Sequence, residues 1–131
     1  MNRHTIRKHI FSMLFRVEFH KTKEMQEQDE FYLAGLEKVT DKEWAYMENR
    51  VNQVIAKIPE IDVLLENASE GWKISRMGKV ELTILRLAVY EMKFDEDIPT
   101  NVAVNEAVEL AKTFGGEESP AFVNGVLAKL I

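Results

Sequence analysis

The stretch "VELTILRLAVYEMKF", Val80 to Phe94, decides the fold. Its apolar residues Val80, Leu82, Ile84, Leu85, Leu87, Ala88, Val89 and Met92 spread around a whole helical wheel rather than along one stripe. A helix apolar on all sides has no face for water, so it is central and packed by several neighbours. The segments on either side supply those neighbours. "TNVAVNEAVELAKTF" puts Val104, Ala107, Val108, Ala111 and Phe114 on one helical face, and Gly115 follows as a C′ residue. The closing "PAFVNGVLAKLI" has Val123, Val126, Leu127 and Leu130 as its stripe, with Ser119 read as N-cap and Pro120 as N1.

Upstream, "VTDKEWAYMENRVNQVIAKI" opens on Thr40 and Glu43, the S/T-x-x-E capping box. Trp44, Met47, Val51, Val54, Ile55 and Ile58 then form its stripe. Pro59 lacks an N–H and crowds the preceding turn, so it is expected to end or kink that helix. "EIDVLLENA" reads as a short separate helix with Ile61, Leu64, Leu65 and Ala68 inward, and Gly71 falls in the break after it. At the N-terminus Ile6, Ile10, Leu14 and Val17 recur at helical spacing, widened by Phe11 and Phe15. A polar run, "HKTKEMQEQDE", leads to a short helix around Phe31 to Leu36. Strand-like alternation is weak, and Gly and Pro fall at helix breaks. The expectation is a compact all-α domain of about six or seven helices.

Composition narrows the chemistry. The 131 residues fit one domain, and 46% apolar with 30% charged is ordinary for a soluble globular chain. With no cysteine, disulfides, zinc-thiolate sites and cysteine nucleophiles are excluded. No apolar run approaches the roughly 20 residues that cross a bilayer. "IFSMLF" is short, is followed by Arg16 and Glu18, and lacks a small-residue cleavage site, so it is no signal peptide. The chain reads as cytoplasmic. His4, His9 and His20 lack the i, i+4 spacing of a metal pair, and no metal or cofactor is expected. There is no P-loop, no G-x-G-x-x-G and no H-E-x-x-H. Glu117 and Glu118 form no acid/base couple without a cleft around them. The chain does not read as an enzyme.

Two features exceed simple packing. The net charge of −5 is uneven: residues 1–23 carry six Lys/Arg against one Glu, and the remainder eleven against twenty-one acids. Arg3, His4, Arg7, Lys8 and His9 gather at a helix start, where cations oppose the macrodipole at a cost of about a few tenths of a kcal/mol each. Such an end suits an anion, a nucleic-acid backbone above all; the alternative is a solvated helix with clustered charge. The second feature is "GGEESPAF", where one helix stops and another restarts. Phe122 sits just inside the new helix. It reads either as a cap on the core or as a platform for one unstacked base beside Glu118 and Asn124.

The runs "ILRLAVYEM" and "IPTNVAVNEAVELAKTFGGEESPAFVNGVLAKL" resemble the bacterial NusB transcription antitermination factors. The close match covers Arg76 to the end; the N-terminal half matches mainly in pattern. The resemblance implies an all-helical fold of about seven helices in two small bundles, about 1–70 and about 71–131. It implies binding of single-stranded boxA-type RNA in ribosomal RNA transcripts, with the small-subunit ribosomal protein NusE, in an antitermination complex on RNA polymerase. No membrane is involved, and the chain would be a monomer or homodimer. Residue by residue, the basic RNA-binding motif falls on Arg3, Arg7 and Lys8, the loop acid on Glu118 and the base-stacking aromatic on Phe122. Phe15 and Glu81 match the surface used by the protein partner, and Asn124 is assigned a structural role. The family motif A-R-E-x-A-x-Q-x-L-[YF] stands here as "IRKHIFSMLF": Arg7 and Phe15 are kept, while Ile6, Lys8 and Ser12 replace the small residue, the acid and the Gln. A protein-only helical adaptor and an RNA-targeting accessory of an rRNA modification system are the competing readings.

Overall fold

The structure, a computed structural model, describes residues 1–19, 39–69 and 73–131. Among these the chain forms α1 (Arg3–Phe19), α2 (Asp41–Ala68), a 3-10 turn (Ile74–Arg76), α3 (Lys79–Lys93), α4 (Thr100–Phe114) and α5 (Ser119–Ala128). No strand occurs among the described residues, so the fold is all-α as expected. Five helices stand where six or seven were expected. The helix around Phe31 to Leu36 and the break at Gly71 lie outside the described residues. The rest of the difference is Pro59.

Pro59 does not end its helix, which runs unbroken from Asp41 to Ala68. The missing Pro59 N–H forfeits one bond to the Ile55 carbonyl, a cost of about 3 kcal/mol in an exposed helix. The apolar stripe opposes that cost. Met47, Val51, Val54, Ile58, Ile61, Leu65 and Ala68 recur at alternating steps of four and three straight through the proline, and all but Ile58 are buried. A break at Pro59 would rotate Ile61 and Leu65 out of register with Val51 and Val54. Each buried aliphatic side chain contributes roughly 1.5–3 kcal/mol, so continuity wins.

The chain divides into two compact units, Met1–Ile55 and Ala56–Ile131. In the first, Asn2 caps α1: its Oδ1 accepts the Thr5 N–H at 2.8 Å. Ile10, Phe11, Met13 and Leu14 are buried, and the Phe11 and Phe15 rings lie 6.0 Å apart. The capping box at α2 is reciprocal. Thr40 Oγ1 accepts the Glu43 N–H at 3.1 Å, and Glu43 Oε1 accepts the Thr40 N–H at 3.1 Å.

In the second unit α3 is the central helix, buried at Leu82 through Leu85 and again from Leu87 to Glu91. It packs on α4 and α5, and α4 packs on α5. The buried Thr83 hydroxyl donates to the Lys79 carbonyl at 2.8 Å, so it costs little. Two ties join the distal half of α2 to α3 and its C-cap. Arg86 grips Asp62 through two bonds, Nε to Oδ1 at 2.9 Å and Nη2 to Oδ2 at 2.8 Å. Lys57 Nζ lies 5.2 Å from the centre of the Phe94 ring. On α4, Ala103, Val104, Ala107, Leu110 and Ala111 face inward. Phe114, expected in that stripe, is the last helical residue and is 38% exposed.

Among the described residues no helix is long and apolar enough to cross a membrane.

Candidate nucleic-acid interface

The basic end belongs to the first unit. Arg3 is exposed and Lys8 half-buried. Arg7 is 9% exposed and engaged within the fold. The placement follows from spacing: Arg7 shares a helical face with Ile10, Phe11 and Leu14. His9 is held below its ordinary pKa, first by burial and then by the neighbouring Lys8 cation, so it adds little positive charge near neutral pH. Fixed charge here therefore comes from Arg3, Arg7 and Lys8. No acid lies in the first turn of α1 to offset it.

The N-terminal ammonium of Met1 donates to Glu43 Oε2 at 2.6 Å and anchors the start of the basic segment on the capping box. That ammonium, and then the Thr40 amide, lowers the Glu43 pKa. A depressed carboxylate pKa contributes stability above the unfolded value and loses it as pH falls through the folded value. Glu43→Gln is therefore expected to destabilise the protein near pH 7, with the deficit closing towards about pH 3. Urea unfolding at the two pH values reads this; an equal deficit at both would sink the assignment.

The loop between α4 and α5 lies in the second unit, and its caps differ from expectation. Ser119 is not the N-cap. Glu118 takes that place with φ −88° and ψ −12°, while Ser119 and Pro120 open the helix. The Ser119 side chain is diverted: Oγ accepts the Gly116 N–H at 3.0 Å and donates to Glu81 Oε1 at 2.5 Å. Gly115 is not a left-handed C′ residue either, since its φ is −95° and its ψ −178°. Close approach requires glycine there. A Cβ would stand 2.5 Å from Ser119 Cβ and 2.9 Å from the Ala111 carbonyl oxygen. Gly115→Ala is expected to cost about 1–3 kcal/mol, read as a lower unfolding midpoint; an unchanged midpoint would refute the close-packing account.

Glu118 is exposed at the loop tip, and Phe122 is half-buried one turn on, its N–H donating to the Glu118 carbonyl at 3.1 Å. Asn124 is exposed. The loop thus brings a half-buried aromatic residue within one turn of an exposed carboxylate. Of the residues matched to a partner surface, Phe15 is half-buried on α1 in the first unit, and Glu81 is half-buried on α3 in the second. Among the described residues no group of His, Asp and Glu is placed to hold a metal ion.

The model of the NusB family matches residues 4–131. The chain belongs to the NusB family. The transcription antitermination protein NusB of Lachnoclostridium phytofermentans is 52% identical over 131 residues, covering 100% of this chain and 99% of that protein. Its namesake from Agathobacter rectalis is 54% identical over 129 residues, 98% of each chain. Among solved structures, T. maritima NusB superposes with a TM-score of 0.84 at 31% identity, covering 99% of this chain and 90% of that one. A crystal structure of antitermination factors NusB and NusE in complex with dsRNA gives 0.78 at 26% identity, covering 98% and 96%. The NusB match extends through the basic helix as well as the C-terminal half.

Proposed function

We propose that this chain is a transcription antitermination factor that binds boxA-type single-stranded RNA of rRNA transcripts together with the ribosomal protein NusE. The carrying observation is the end-to-end match to proteins named for transcription antitermination. A solved relative that assembles with NusE and RNA supports the choice of partners. We read the chain as a single NusB-like domain acting by binding alone, in the cytoplasm, within an antitermination complex on RNA polymerase.

Arg3 and Lys8 meet phosphates, and Arg7 supports them from the buried face of α1. Glu118 accepts from a base edge while Phe122 stacks on a base. Phe15 and Glu81 serve the partner surface. The solved relative holds double-stranded RNA; the preference for an unpaired strand rests on the stacking role given to the half-buried Phe122, because a stacked duplex base offers no free ring.

Fluorescence anisotropy with a boxA-type RNA, a scrambled strand and a duplex, with and without NusE, tests the reading. Selective binding to the single strand, strengthened by NusE, is expected. Binding to none of the three would leave the protein-only adaptor. Arg3→Ala and Lys8→Ala should each flatten the slope of log affinity against log salt by about 0.7. An unchanged slope in both would remove the phosphate assignment.

A further inference from the structure

We propose that Glu81 is a positioning residue for the α4–α5 loop, acting through the Ser119 hydroxyl and setting RNA affinity without touching RNA. The inference rests on the reading of that loop as RNA-binding. Three hydrogen bonds carry it. Ser119 Oγ donates to Glu81 Oε1, Ser119 Oγ accepts the Gly116 N–H, and the Ser119 N–H donates to the Gly116 carbonyl at 3.1 Å.

Ser119 is 5% exposed, and Gly115 packs against its Cβ and Oγ, so the hydroxyl is enclosed and has little water to turn to. Gly116 lacks such packing: nothing stands within 4 Å of where its Cβ would be. The loop is therefore held at Gly116 by hydrogen bonds to Ser119 rather than by side-chain contact. Glu81 sets the direction of that hydroxyl. By accepting its proton, Glu81 leaves the oxygen lone pairs facing the Gly116 amide. The Glu81 carboxyl lies over Gly78, where a Cβ would overlap it. Without Glu81 the hydroxyl proton must seek another acceptor, and the Gly116 amide loses its defined partner. Glu118 and Phe122, two and six residues on, then lose their fixed placement.

The test uses the full chain, a boxA-type single-stranded RNA and amide hydrogen exchange. Glu81→Ala and Ser119→Ala should each weaken RNA binding about tenfold, and the double variant no further, because both break one relay. Measured without any partner protein, so that the partner surface given to Glu81 is not read, Glu81→Gln keeps an acceptor oxygen for the Ser119 hydroxyl and should lose clearly less affinity than Glu81→Ala. The salt slope should not move in any of them, since no phosphate contact is lost. Gly116 amide exchange should quicken in both alanine variants and not in Glu81→Gln. Additive losses in the double variant, or unchanged Gly116 exchange in Glu81→Ala, would overturn the relay. If the parent selects no RNA, the functional reading fails, while the relay still stands or falls on Gly116 exchange.

Discussion

Phe122→Ala is expected to weaken binding of boxA-type RNA by about 1–3 kcal/mol, the range for loss of one base–aromatic stack. Phe122 is half-buried, and Val123, Val126 and Leu127 of the same helix are buried. A half-buried ring can serve packing and, as proposed, stacking. Phe122→Leu separates the two roles, because leucine keeps apolar bulk but has no π face. It should hold the unfolding midpoint near the parent's and still lose most of the RNA affinity. The salt slope should not change, since stacking releases no counterions. A fall in thermal stability with RNA binding intact in both variants would return Phe122 to the core.

Arg86→Ala is expected to lower the unfolding free energy by about 3 kcal/mol. The Arg86 and Asp62 side chains are 11% and 25% exposed, so solvent screens the pair only partly. Their two parallel bonds join the distal half of α2 to the central helix. Truncating the arginine leaves the Asp62 carboxylate desolvated without its fork of donors, and that penalty dominates the loss. Lys112 and Glu109 form the contrast: both side chains are more than half exposed, and Lys112→Ala should cost under about 1 kcal/mol. Urea unfolding of the two variants reads the difference. A loss of similar size in both would mean that Arg86 and Asp62 behave as a surface pair.

Legibility in the sequence followed the range of the interaction. The Thr40–Glu43 box was readable because both partners sit within one turn. Asn2, three residues before Thr5, is the same kind of short-range signal. Pro59 does not end its helix, because the stripe that continues from Val54 to Ile61 and Leu65 outweighs its local penalty. Ser119 looked like a cap because serine before proline usually is one. Its hydroxyl instead serves Glu81, 38 residues away, and no local pattern announces that choice. Arg86 with Asp62 is the same case at a separation of 24.

By itself the sequence determined the helical class, the central place of Val80–Phe94 and the stop and restart around Gly115–Pro120. It also carried the motifs that mark the family. These are encoded in periodicity and breakers within a few residues, where backbone sterics and the burial of a stripe act together. Tertiary structure alone decided which charged and aromatic groups are available: that Arg7 turns inward, that Phe114 stands 38% exposed and that Phe122 is shared between core and solvent. Availability depends on which distant side chains fill the space beside a residue, and burial and hydrogen-bond satisfaction are settled only when those neighbours arrive.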